Sequence, residues 1–322
     1  RLVRHEEVDV ILRIAAHIEH ALGRLDDDLR REAVDGVAVH ADLVVERLAV
    51  ARRQIALEIE ALRAVDAELD DDGRPTGFVA DFAVKGLARA GMRALKERGL
   101  PWASTERQYE RLLSSLDLAV ASGITTVVEP QNSPDDLALF QRARDEGRLG
   151  PRLVLAMFHP PTTTDADRAE FKALATEFAD DRIRVGPLKL YIDDVVEPHT
   201  AALHEPYANE PSTRGRTYYA PEVFADLVTR LDADGFQLFV HATGDRGITT
   251  VLDAVEAART ANGPRDARHQ VVHVECLRRA DLPRFAELGV VACMQPRHAS
   301  PEIAGPGHAW AEAVGEGRWH QA

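Results

Sequence analysis

The 322-residue sequence predicts an α/β fold, an incomplete (β/α)8 barrel of the TIM type, and three observations carry that prediction. After residue 100, six short apolar runs alternate with amphipathic segments, the pattern of a right-handed parallel βαβ array. The runs are apolar throughout, as strands buried on both faces are. Polar residues gather where the runs end, at Glu129, Asp193, His241, His273 and Gln295. In a barrel that rim carries the chemistry. A doubly wound sheet is the competing array, but no G-x-G-x-x-G follows any strand.

The elements follow in order. Residues 1–70 use only ten residue types, without Pro, Ser, Thr, Lys or any aromatic. VILRIAAHIEHALGRL (10–25) and LVVERLAVARRQIALEIEALRAV (43–65) read as helices, because straight-chain residues and Ala favour helix and nothing interrupts them. Two accounts of this segment stay open: a helical extension, or a stretch translated from a non-native reading frame. HIEH (17–20) reads as a solvated helical face. Residues 71–322 form the partial barrel domain. Helix 114–123 leads to strand 124–131, helix 134–147 to strand 152–158, and helix 165–179 to strand 183–192. An irregular stretch, 199–219, interrupts the alternation. Helix 221–235, strand 236–242, helix 247–263, strand 269–274, helix 280–289 and strand 290–296 complete the series.

Composition excludes several function classes. A net charge of −14 and a pI near 5.4 lack the basic face that phosphate binding needs, so nucleic acid is not an expected partner. No apolar run approaches the roughly 20 residues of a membrane span, and no signal peptide is visible. Cys276 and Cys293 are too few for a disulfide framework and read as reduced thiols of a cytoplasmic protein.

The chemistry concentrates in HATGDRG (241–247) and QVVHVE (270–275). Each puts a histidine at the end of a buried strand, one βα unit apart. Neutral imidazole is a common ligand for Zn, Fe or Ni. Lys189 lies inside VGPLKLYI; a buried lysine is either paired or reactive, and carbon dioxide would convert it to a carbamate able to bridge two cations. Asp193 and Asp194 are candidates to hold substrate or fix a ligand, with at most one expected to point into a site. Asp245 and Arg246 read as structural residues of a helix start. Gln295 and His298, at the last strand, are candidate substrate contacts.

These stretches resemble amidohydrolase family 3, the branch containing N-substituted formamide deformylases. The resemblance is carried by KLYIDDVVEPHTAALHEPY (189–207), HATGDRGITTVLDAVE (241–256) and RHQVVHVECLRRADLPRFAELGVVACMQPRH (268–298). DDGRPTGFV (71–79), SGITTVVEP (122–130) and GRWHQA (317–322) also fit. The resemblance implies a metal-dependent hydrolase of non-peptide amide C–N bonds, with one or two divalent ions of the zinc class. The six strands would be barrel strands two to seven. Lys189 matches the family's lysine, where carboxylation is expected, and His241 and His273 match its two single histidines as metal ligands. The sequence departs from the pattern in four ways. No H-x-H occurs, no strand-eight aspartate follows, Val272 replaces the Glu before His273, and no glycine follows Asp193. The expectation is therefore a truncated family member with impaired activity. A catalytically dead remnant or binding module, and a phosphotriesterase-like hydrolase, are the alternatives; TAALHEPY speaks against the last. A small-molecule amide is the expected partner, and open strand edges allow a homodimer.

Overall fold

A computed structural model describes residues 67–69, 75–79, 104–315 and 318. Two compact units divide between Gln108 and Tyr109. In the first, β1 (Ala67–Leu69) and β2 (Pro75–Val79) pair antiparallel, with Ala67 opposite Val79 and Leu69 opposite Pro75. Strand β1 follows the expected helix 43–65 in sequence. The expected helices 10–25 and 43–65, HIEH included, lie outside the described residues.

The second unit follows the expected alternation. Its elements are α1 (Thr105–Ala121, from Tyr109 onward), β3 (Thr126–Asn132), α2 (Pro134–Asp145), β4 (Arg152–Phe158), α3 (Asp165–Glu177) and β5 (Ile183–Tyr191). Then come α4 (Pro221–Ala233), β6 (Gln237–Ala242), α5 (Asp245–Asn262), β7 (Gln270–His273), α6 (Leu282–Leu288) and β8 (Val291–Cys293). The six strands pair in sequence order, every neighbour parallel, and form the predicted incomplete barrel. Helix α1 starts well before residue 114 because Tyr109, Leu113 and Leu116 place a buried stripe at helical spacing. Strand β8 is shorter than expected because its partner β7 ends at His273, where the backbone turns left-handed. Two short helices in the tail, α7 (Pro301–Ala304) and α8 (Ala309–Val314), were not anticipated.

The sheet has two differently used faces. Leu153, Leu155, Met157, Leu188, Leu190, Val240 and Val271 join Phe171, Phe224, Leu231, Val251 and Phe285 of the helices in the main core. Each such side chain contributes about 1.5–3 kcal/mol through burial. The opposite, inner face carries Phe158, Lys189, Tyr191, Phe239 and His241, in register across β4, β5 and β6.

A β-bulge decides that Lys189 is on this inner face. Leu155 is opposite Val185, but Met157 is opposite Leu188, so β5 spends one extra residue at Gly186–Pro187. Proline and glycine are tolerated at bulges. Val185 and Leu188 therefore both face the helices, and Lys189 turns inward. Without the extra residue, strict alternation would aim Lys189 at the helix layer.

A smaller core forms where α8 meets the loop after β5. Trp310, Ala311, Ala313 and Val314 pack with Val196, Ala201, Leu203 and Tyr207.

Candidate metal centre at the strand ends

Register brings Tyr191, His241, Val272 and Cys293 side by side across β5 to β8, with Lys189 one pleat deeper. Lys189 is buried, its Nζ 4.4 Å from the centre of the Tyr191 ring and 5.3 Å from that of Phe239. The two π faces stabilise a cation that burial would otherwise penalise. His241 is buried and stacks on Tyr191, ring centroids 4.7 Å apart. Its Nε2 lies 3.0 Å from the Asp194 carbonyl oxygen. A carbonyl only accepts, so Nε2 carries the proton and Nδ1 the lone pair.

His273 reaches the same place by breaking the strand rule. It is opposite Ala242, which belongs to the helix-side core, so alternation would aim it away from His241. Instead His273 has φ 81° and Val274 φ 56°. Left-handed backbone is uncommon outside glycine, and an outlier for a β-branched residue. Such strain costs about 1–3 kcal/mol per residue and persists where the surroundings impose it. The ring of His273 thereby meets that of His241 edge-on, centroids 4.6 Å apart.

Gln295 fixes the His273 tautomer. Its Nε2 donates to the Cys293 carbonyl at 3.2 Å, which turns Oε1 toward His273 Nδ1 at 2.6 Å. Nδ1 is then the donor and Nε2 keeps the lone pair. His298 stacks on His273 with rings 8° from parallel and centroids 5.3 Å apart. Its Nδ1 lies 2.8 Å from Glu275 Oε1, while Trp310 Nε1 donates to Glu275 Oε2 at 2.9 Å. The ligand atoms of His273, Glu275 and His298 all lie within 4.8 Å of one another.

The two aspartates have internal partners. Asp193 is fully buried and accepts the backbone N–H groups of Ala202 (2.9 Å), Thr243 (3.1 Å) and Gly244 (2.9 Å). Burial pushes its carboxyl up to about 8, against the pull of those three donors. It ties the loop after β5 to the end of β6, with Oδ1 3.9 Å from His241 Nε2. Asp194 Oδ2 accepts the Tyr218 hydroxyl at 2.6 Å. Asp245 and Arg246 are structural in the way their helix-start position suggests. Asp245 accepts the His204 N–H, and Arg246 donates to the carbonyls of Leu203 and Gly215.

Of the seven residues singled out in the sequence, Lys189, His241, His273, Gln295 and His298 share the inner mouth. Asp193 and Asp194 face the loop that frames it. Sequence reasoning missed Glu275, although H-x-E (273–275) is a legible pair. It also passed over His159, which ends β4 as His241 ends the run of β6. The His159 side chain is buried with no hydrogen-bond partner on either ring nitrogen. Lone pairs on two adjacent imidazoles, with a carboxylate beside them, are a donor set suited to a divalent metal.

Residues 5–322 match the amidohydrolase family, reaching further upstream than the motif resemblance. The chain is 28% identical over 239 residues to the putative amidohydrolase YtcJ of Bacillus subtilis (strain 168), covering 73% of this chain and 42% of that protein. It is 25% identical over 235 residues to the N-substituted formamide deformylase of Arthrobacter pascens, covering 72% and 42%. The chain thus spans less than half the length of either relative. In fold it resembles the crystal structure of an uncharacterized metal-dependent hydrolase from Pyrococcus furiosus, with TM-score 0.57 and 21% identity, covering 82% of this chain and 51% of that one.

Proposed function

The chain belongs to the amidohydrolase family, and on that premise we propose that it serves hydrolysis of non-peptide amide C–N bonds at a metal centre. One observation carries this reading: Lys189, His241 and His273 stand on one face at the ends of three successive parallel strands. A zinc-class cation, single or paired, held by His241, His273 and a carboxylated Lys189 would polarise an amide carbonyl and make water nucleophilic near neutral pH.

The chain's own residues supply the rest. Asp194 and Gln295 hold the two imidazoles in the tautomers that leave a lone pair on each. Tyr191 and Phe239 keep water from Lys189. Among the expected substrate contacts, His298 has a side chain 41% exposed and is placed to meet an entering acyl group. Asp193, Asp194 and Gln295 contribute indirectly, through the loop and through His273.

The sequence holds no H-x-H pair, and among the described residues this reading rests on three donors with no further base among them. We infer that this 322-residue polypeptide, taken alone, turns over slowly. A screen of N-formyl and N-acyl amines with zinc-loaded protein tests both statements. The expected result is weak cleavage that falls at least about tenfold in His241→Ala and His273→Ala, with lower bound zinc. Cleavage indifferent to both substitutions would remove the hydrolase reading. Fast, zinc-dependent cleavage would remove only the claim of slow turnover. The missing H-x-H also favours a second reading, a remnant that keeps the fold without the chemistry; bound zinc near zero after loading would select it.

A further inference from the structure

We propose that His273, Glu275 and His298 form a binding site for a divalent transition metal, separate from the His241–Lys189 pair and centred on Glu275. Two imidazoles and one carboxylate are the donor set of open zinc sites, which leave a further position for water or ligand. Zn–N distances near 2.0–2.1 Å place tetrahedral donor atoms about 3.4 Å apart. The three donors already lie within 4.8 Å of one another, and a small turn of the half-exposed His298 ring would close the remainder.

The groups around the donors are arranged as metal sites require. Trp310 engages one oxygen of Glu275 and leaves Oε1 facing His298. Gln295 engages Nδ1 of His273 at 2.6 Å and so fixes the ring's orientation and tautomer. Two imidazoles select zinc, cobalt or nickel over magnesium and calcium, which prefer all-oxygen shells. The left-handed backbone at His273 and Val274 is what brings His273 and Glu275 toward His298. With a single lone pair, His273 cannot serve this site and the His241–Lys189 pair at once, so the two positions compete for it.

The test uses the full chain, stripped with a chelator and titrated with Co2+, read by visible d–d absorption and by bound-metal analysis. Glu275→Gln keeps the shape and removes the charge; His298→Ala removes a donor that is well exposed to solvent. Both are expected to weaken Co2+ binding by at least about tenfold and to remove the d–d bands of this site, while His241→Ala, which removes a donor of the other pair, keeps the Glu275-dependent bands. The proposal fails if Glu275→Gln and His298→Ala titrate like wild type, or if His241→Ala loses Co2+ as fully as they do. It stands apart from the hydrolase reading. Weakened Co2+ binding in both variants without amide cleavage by the chain leaves this site standing and removes that reading. Amide cleavage with unaltered Co2+ binding in both variants does the reverse.

Discussion

His159 shows how little a local pattern decides at the scale of one residue. It ends an apolar run, as His241 and His273 do, but it follows Phe158, the inward partner of Lys189, and so turns toward the helices. It is 3% exposed, and neither ring nitrogen has a hydrogen-bond partner. Desolvation pushes its pKa down from 6.5 to about 4. The sign follows from proton counting. Between those values the unfolded chain holds a proton that the folded chain does not, so stability is full above 6.5 and drains as pH falls toward 4. The loss is at most about 3 kcal/mol. His159→Phe removes both unsatisfied nitrogens at similar volume. The variant is expected to be more stable by about 1–3 kcal/mol at neutral pH and to lose this acid dependence. Urea unfolding across the acid range measures both, and a variant that is weaker at neutral pH with an unchanged acid slope would contradict the account.

At the scale of the element, the strands were legible because apolar runs bounded by turn residues admit few other readings, and strict alternation with helices fixed their parallel order. The irregular stretch after β5 was legible for the same reason, since it has no period. What could not be read was orientation. The bulge at Gly186–Pro187 and the left-handed pair His273–Val274 reverse which face a side chain takes. Neither leaves a pattern in one sequence beyond a Gly-Pro that also suits a turn. Two of the three expected ligands thus share a face through departures from regular strand geometry. The partners of Asp193 were illegible for a related reason: a carboxylate at a strand end looks the same whether it meets substrate or backbone. Its three backbone donors make the loop after β5 a latched element, and Gly247 belongs to the latch. A Cβ at Gly247 would come 2.4 Å from Asp193 Oδ2. Asp193→Ala leaves three buried N–H groups without an acceptor and is expected to cost at least about 3 kcal/mol. Gly247→Ala should also destabilise, by about 1–3 kcal/mol for overpacking. In the double variant the clash partner is gone, so the combined loss should fall short of additive. Additive losses in denaturant titrations would mean that the two positions act separately.

At the scale of the whole molecule, the open barrel poses an edge problem. Among the described residues, β3 and β8 each pair on one side only. They also present apolar side chains to water: Val128 and Val291 are each 42% exposed. Exposed edge strands of this kind are templates for pairing with another chain. The net charge of −14 opposes that approach, and salt screens such repulsion, with a Debye length of about 10 Å at 0.1 M falling to about 3 Å at 1 M. Charge and edges therefore pull in opposite directions, and ionic strength sets the balance. Sedimentation velocity over a range of protein and salt concentrations should show association that grows with both. Val128→Lys and Val291→Lys put a solvated charge on each terminal strand, the device natural edges use, and should hold the chain monomeric in high salt. An unsubstituted chain that stays monomeric under those conditions would overturn this account of the edges.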